Sequence, residues 1–366
     1  IGYKNKNQVK IIYDNIIFSL QKAGGISVVW YELCYRLLRD KVRNMLFIEK
    51  KDISSNIFRK ILTIPSEQIC ILKEEKYGFD RYCSLKLGIK GKYIFHSSYY
   101  RFSKDKSAVN ITTVHDFTYE YFYSGIRRLI HSWQKKRAIM KSDFVICISE
   151  STKNDLIKFF PIDVNKIRVI YNGVSDEYFP LRADSFCPIL PYSSYLLFVG
   201  SREYYKNFDL VVEVAAQYGY NLVIVGSNLT QKERKKIEQK MNREKYICVG
   251  KIPNVELNKL YNGAYALLYL SSYEGFGIPI LEAQKAGCPV IAYNKSSIKE
   301  VIGDTMLLLD DLSIMNIAKC LNLLSDTFIR KQVIEKGFIN AQRFSWEKTY
   351  KETMDLYKYA WNNKKV

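Results

Sequence analysis

AYALLYLSSYEGFGIPILEAQKAG, residues 264–287, decides how this chain is read. Its first third is a nearly unbroken apolar run, which predicts a buried strand. Its last third opens on Pro279, which suits the first turn of a helix, and Gly287 with Pro289 supplies a stop. Between them lies a glycine loop that carries Glu274 at the strand's carboxyl end and leads to Glu282 in the opening turns of the helix. In an open α/β sheet ligands bind at that end of the strands, and free N–H groups at a helix start favour anions. The loop's backbone N–H groups can face phosphate or sugar, while the two carboxylates, with seven residues between them, accept from hydroxyls. The stretch therefore predicts a site for a sugar nucleotide.

Outward from it the same unit recurs. YLLFVGS (195–201), NLVIVGS (221–227), YICVGKIP, PVIAY and TMLLLD are strands separated by helical segments. Thr230 with Glu233 and Ser297 with Glu300 have the spacing of capping boxes. The first half alternates likewise: VKIIYDN, MLFIE (45–49), YIFHS (93–97), NITTV (110–114), DFVICIS (143–149) and KIRVIYN (166–172) are strands. A loop with Gly24 and Gly25 follows the first strand and leads to a helix over about 27–39. A basic helix fills about 125–141, with Ile126, Ile130, Trp133 and Ala138 expected to bury one stripe. Alternation from end to end is the signature of parallel α/β sheets.

At 366 residues the chain exceeds one hydrophobic core, so two domains are expected. The segment around YFPLRADSFCPILPYSS, with Pro180, Pro188 and Pro191, reads as the boundary. The expected division is a first domain over 1–176, a linker over 177–189 and a second domain over 190–345. The rest is helical, ending in a helix over about 346–366. Two doubly wound domains place the cleft between their carboxyl edges.

The composition is globular, with 48% hydrophobic and 25% charged residues. No apolar run reaches the ~18 residues of a transmembrane helix, and the opening IGYKNKNQVK carries no signal-like apolar core. Eight scattered cysteines without C-x-x-C pairs predict reduced thiols in a cytosolic protein. The net charge of +19 is uneven, with 31 Lys and Arg against 17 Asp and Glu up to Asp176. That imbalance points to an anionic partner such as a membrane surface, lipid phosphate or nucleic acid, unless it reflects only a Lys-rich background.

Arg202 and Lys206 follow the strand that ends at Gly200, just before a helix start. An Arg can grip a diphosphate bidentately and a Lys adds a point charge. A leaving nucleoside diphosphate gains negative charge, so cations there stabilise the transition state. Taken alone the pair is two solvated surface charges; the Glu274 loop at the same sheet edge favours function. Gly24-Gly25 is either a turn or a backbone nest near phosphate. His115, before Asp116 at the end of a strand, is a candidate for orienting a sugar hydroxyl. His96, in FHSSYYR, is a weaker candidate, and His131 reads as structural. No serine triad, P-loop, metal cluster or D-x-D motif is present.

With these residues in view, the chain resembles the retaining family-4 glycosyltransferases of the GT-B fold. The E-x7-E pattern is EGFGIPILE (274–282), and the phosphate-binding stretch is similar to FVGSREYYKNFDLVVEVA (198–215). YNGV (171–174) and VGKIPNVELNKLYNGA (249–264) resemble further family segments, and FSWEKTYKETMDLY (344–357) resembles the family's C-terminal helix that crosses back to the first domain. The resemblance implies that Glu282 binds the donor ribose. It implies that Glu274 contacts the donor sugar, together with the loop Gly275, Phe276, Gly277 and Ile278. Arg202 and Lys206 would hold the diphosphate, and His115 would reach the sugar from the first domain. Gly24 and Gly25 match the family's glycine loop. It further implies hexose transfer with retention, without a metal or other cofactor. The donor would be a nucleotide sugar, with GDP-mannose favoured by analogy. The acceptor would be a lipid-linked glycan, in O-antigen or capsule assembly at the cytoplasmic face of the membrane. Alternatives are a GT-B sugar-nucleotide 2-epimerase, for which titratable groups are few, and a basic nucleic-acid-binding protein, for which no module is recognisable.

Overall fold

The computed structural model describes residues 9–51, 55–72, 79–182 and 194–364. They form two compact units, one of 1–172 with 346–366 and one of 173–345.

The first unit runs β1 (Ile11–Asp14), α1 (Ile17–Leu20), α2 (Gly25–Arg39), β2 (Met45–Glu49), α3 (Ile57–Ile61), β3 (Ile69–Ile71), β4 (Tyr93–Ser97) and β5 (Ala108–Val114). It continues through α4 (Thr118–Phe122), α5 (Gly125–Lys141), β6 (Phe144–Cys147), α6 (Glu150–Phe159) and β7 (Ile167–Val169). The second runs β8 (Tyr195–Val199), α7 (Phe208–Gln217), β9 (Asn221–Val225), α8 (Gln231–Glu238), β10 (Tyr246–Gly250), α9 (Asn254–Gly263) and β11 (Ala266–Tyr269). After it come α10 (Ile278–Lys285), β12 (Val290–Tyr293), α11 (Ile298–Ile302), β13 (Leu308–Leu309), α12 (Ile314–Leu323) and α13 (Thr327–Ala341). Finally α14 (Trp346–Asn363) returns to the first unit.

The strand order is β3-β2-β1-β4-β5-β6-β7 in one sheet and β10-β9-β8-β11-β12-β13 in the other. All pairings between these strands are parallel. Each is thus a doubly wound sheet whose order reverses beside its first strand, between β1 and β4 and between β8 and β11. Covered on both faces, the strands carry buried Ile, Leu, Val and Phe in continuous runs, such as Leu196, Leu197 and Phe198.

Helix α14 is held to the first unit by polar as well as apolar contacts. Glu347 meets Arg39 at 2.9 Å, and the buried Tyr357 hydroxyl bonds both Tyr13 (2.7 Å) and His96 Nδ1 (2.5 Å). Burial pushes the His96 imidazole down to a pKa of about 3, and its Nε2 bonds Thr113, so this residue is occupied in the core. The rest of FHSSYYR is also used internally, because Ser97 and Arg101 both donate to the buried Asp14.

Four sequence expectations differ from the structure. Strand β3, only three residues long, was not foreseen. The domain change falls between Asn172 and Gly173, and residues 177–182 are bonded to α9 rather than free as a linker. The Phe179 and Leu181 N–H groups donate to Asn258 and Asn262. The remainder of the expected linker lies outside the described residues.

The expected stripe on α5 is not buried. Ile126, Ile130 and Trp133 are exposed, while His131, Gln134, Lys135, Ala138 and Ile139 face inward. At ~100° per residue Ala138 stands about 120° round the helix from Ile126, so the four do not share a face. The inward polar face is stabilised by pairing: Lys135 meets Glu120 at 2.7 Å and donates to the Asp116 carbonyl at 2.8 Å.

Lastly, Thr230 and Glu233 do form a capping box on α8, but Ser297 makes no cap on α11. The seven described cysteines are free thiols; Cys187 lies outside the described residues.

Candidate functional site

The carboxyl ends of β8 and β11 lie side by side at the point where the second sheet's order reverses, which is where doubly wound sheets take ligands. Glycines bring the neighbouring backbones together there. Gly226 has φ +153°, and a Cβ on it would stand 2.3 Å from the Gly200 carbonyl oxygen. Gly200 N–H donates to Val225 and Gly226 N–H to Gly250, so three strand ends are joined.

After β8 the chain makes one 3₁₀ turn, Tyr204–Lys206, and enters α7 through Asn207. Asn207 has the left-handed φ of 53°, which asparagine tolerates better than most residues. Its side chain does not cap α7. It crosses to the loop after β11, donating to the Leu270 carbonyl (2.7 Å) and Ser272 Oγ (2.9 Å). Ser272 N–H returns a bond to the Tyr205 carbonyl at 2.7 Å. The two loops are therefore tied together, and Lys206 Nζ meets Glu274 Oε1 at 2.5 Å across them.

The glycine loop is held from below by the turn before α11. Ser296 Oγ accepts the Glu274 N–H at 2.8 Å, and Ser297 Oγ lies 2.9 Å from the Glu274 carbonyl and 2.8 Å from the Phe276 carbonyl. Ser297 is fully buried and has one hydroxyl proton, which these two acceptors share. Gly277, at φ +112°, turns the loop into α10, whose first turn carries Pro279 as expected.

Glu282 lies one turn further on, partly buried, with its carboxylate between two buried tyrosines. Tyr261 donates at 2.9 Å and Tyr178 also bonds it. Burial is the larger influence and pushes its pKa up to about 7, against the lowering effect of both hydroxyls. Among the described residues no cation pairs with it.

Arg202 points elsewhere. Its guanidinium is gripped by Glu233 of α8 at 2.6 Å and donates to the Ser227 and Asn228 carbonyls at 2.8 and 3.1 Å. That grip holds the Glu233 carboxylate down to a pKa of about 2. The pair expected to act together is thus divided, with Lys206 on the Glu274 loop and Arg202 on the loop after β9.

The other candidates belong to the first unit. Gly24 is the N-cap of α2, exchanging bonds with Ser27. A Cβ on Gly24 would meet Gln21 at 2.6 Å, whereas one on Gly25 would meet nothing within 4 Å. His115 follows β5, partly buried, and burial lowers its pKa to about 4, so the imidazole is neutral at physiological pH. Asp116 accepts the Thr118 N–H, and Lys135 holds the Asp116 carbonyl. Among the described residues no group of three or more His, Cys, Asp or Glu side chains gathers as metal ligands.

Sequence reasoning missed Asn207, Ser296, Ser297, Tyr178 and Tyr261. The serines carried a signal, a polar pair at a strand's carboxyl end, but only Ser297 was read, as a cap. The tyrosines gave none, because each reaches Glu282 from an element distant in sequence.

The arrangement places a cation, Lys206, and two carboxylates, Glu274 and Glu282, at one sheet edge, and the chain has relatives among known proteins. The chain is 28% identical over 284 residues to O-antigen chain mannosyltransferase B of Escherichia coli, covering 73% of this chain and 74% of that protein. It is 29% identical over 195 residues to O-antigen chain mannosyltransferase RfbU of Salmonella typhimurium, covering 52% and 53%. The Anabaena HepE structure, in complex with UDP and glucose, superposes with a TM-score of 0.71 at 15% identity, over 95% of this chain and 99% of that one. The Glycosyltransferase Family 4 model matches residues 23–178 and the Glycosyl transferases group 1 model residues 191–338. With one model on each sheet, and the E-x7-E loop at the second sheet's reversal point, the chain belongs to the family-4 glycosyltransferases of the GT-B fold.

Proposed function

We propose that the chain transfers a hexose, with retention and without a metal, from a nucleotide-diphosphate sugar to a hydroxyl of a lipid-linked glycan. GDP-mannose is the donor we favour, because two of the relatives are O-antigen mannosyltransferases. The reaction would serve surface-polysaccharide assembly on the inner face of the cytoplasmic membrane, where the basic first half meets anionic lipid.

The observation that carries this reading is the Lys206–Glu274 pair across the sheet's reversal point, with Glu282 one turn further along α10. Glu282 accepts from the ribose hydroxyls. Glu274, with the loop Gly275, Phe276, Gly277 and Ile278, contacts the sugar and accepts from one of its hydroxyls. On donor binding the diphosphate takes over the Lys206 ammonium, and Arg202 adds its charge from the adjoining loop. As the sugar–phosphate bond breaks, the leaving diphosphate gains charge that these cations stabilise. The acceptor hydroxyl attacks from the face on which the diphosphate departs and passes its proton to it. No protein nucleophile is needed. His115, in the first unit, carries a neutral imidazole that can donate to or accept from a hydroxyl.

The test is a thermal-shift panel of GDP-, UDP-, CDP- and dTDP-sugars, with and without EDTA. A ligand that binds only the native state raises the midpoint with its saturation. A shift with GDP-mannose that survives EDTA is expected. A shift with another base alone would overturn the donor assignment, loss in EDTA would overturn metal independence, and no shift with any donor would overturn the reading.

A further inference from the structure

Helix α5 is turned inside out. The side it gives the core holds His131, Gln134 and Lys135, with Ala138 and Ile139. The opposite side shows Ile126 at 68% exposure, Leu129 at 65%, Ile130 at 40%, Trp133 at 52% and Met140 at 48%. Positions 126, 129, 130 and 133 follow the i, i+3, i+4, i+7 pattern of one stripe. A contiguous apolar surface of this kind on a soluble protein marks an interaction site.

Charge narrows the partner. α5 contains Arg127, Arg128, Lys135, Lys136, Arg137 and Lys141 and no acidic residue. Glu120 neutralises Lys135 beneath the helix, while Arg127, Lys136 and Lys141 are exposed on the flanks of the apolar stripe. The Arg137 guanidinium lies 4.9 Å from the centre of the Trp133 ring, keeping a cation against the stripe's aromatic member. A second copy would set like charges against each other, so the surface suits an anionic partner. A straight helical ridge with an apolar crest and cationic flanks is the form taken by helices that lie in a bilayer interface. At ~1.5 Å per residue the crest from Ile126 to Trp133 is about 10 Å long, which fits lying in the plane and not crossing it.

We propose that α5 docks the protein on an anionic lipid bilayer, with Ile126, Leu129, Ile130 and Trp133 inserted among the acyl chains and the exposed cations on the headgroups. This deepens the membrane part of the proposed function and rests on it. Lys135 bonds the Asp116 carbonyl from the opposite face of the same helix, so the His115 turn sits directly over the docked helix.

The test is flotation with phosphatidylcholine vesicles, with and without a minority of phosphatidylglycerol. Three proteins are compared: the wild type, Ile126→Ser/Leu129→Ser/Trp133→Ser, and Arg127→Gln/Lys136→Gln/Lys141→Gln. The wild type is expected to float with the anionic vesicles, and each triple variant to bind them at least about tenfold more weakly. Brominated lipids are expected to quench the wild type and to spare Trp133→Phe, a reading that does not depend on the triple variants folding. Wild-type affinity in the serine variant, no quenching, or no flotation of the wild type would overturn the proposal. So would a dimer in sedimentation velocity that the serine variant abolishes. Donor-induced thermal shift of the same proteins separates the two claims. Flotation without any donor shift leaves the docking surface standing and removes the transferase reading, and the converse result removes the docking surface alone.

Discussion

Glu282→Gln is expected to stabilise the protein above neutral pH while weakening donor binding. The wild-type carboxyl has its pKa raised from 4.5 to about 7, first by burial, with Tyr261 and Tyr178 opposing. A carboxyl raised in this way keeps its proton in the fold after the unfolded chain has released it. Stability therefore falls as pH climbs from about 4.5 to about 7, and the cost is fully present above that window and absent below it. At ~1.36 kcal/mol per unit the cost is about 3 kcal/mol. Glutamine does not titrate and escapes it, while its amide oxygen still accepts from a tyrosine. For a cooperative unit of the second unit's size, each kcal/mol moves the midpoint by about 2–4 °C, so roughly 6–12 °C is expected. The assay is thermal unfolding of both proteins near pH 8 and near pH 4, taking the difference of differences. The variant should melt higher at the first pH and with the wild type at the second. An equal offset at both, or a less stable variant near pH 8, would refute the reasoning that burial strains this carboxylate.

Ser297→Ala removes one proton shared by two loop carbonyls and should cost about 1–2 kcal/mol. It should also raise the donor KM, read by steady-state kinetics, and lost stability with an unchanged KM would make Ser297 structural only. Arg202→Ala should lower kcat more than it raises KM, because its charge matters most as the diphosphate leaves; the reverse pattern would make it a ground-state binder. Lys135→Met strands Glu120 in the interior and should cost about 3–5 kcal/mol in denaturant unfolding. A loss well below that would mean Ser132, which donates to Glu120 at 2.8 Å, satisfies the carboxylate alone.

The sheets were legible because their strands are buried on both faces and read as continuous apolar runs bounded by glycine. The runs 45–49 and 93–97 match β2 and β4 residue for residue. β3 escaped because two of its three residues are only partly buried and Ile71 is exposed at a sheet edge, so it carries little signal. On α5 the hydrophobic pattern pointed to the wrong face, since Lys135 is buried by a charge partner rather than by its own apolarity. The E-x7-E loop could be placed from its flanking strand and helix alone. What holds that loop could not, because Ser296, Ser297, Tyr178 and Tyr261 reach it through long-range contacts that no local spacing encodes. Arg202 shows the same limit. Its place after β8 was readable, but its partner Glu233 already had a local role as a helix cap.

The central claim is a nucleotide-sugar site built on Lys206, Glu274 and Glu282. Isothermal titration of GDP-mannose into the wild type and Glu282→Ala, in EDTA, tests it most directly. One site per chain, weakened at least about tenfold in the variant by loss of hydrogen bonds to a charged group, is the predicted result. Equal affinity in the two proteins would remove Glu282 from the ribose and contradict the account.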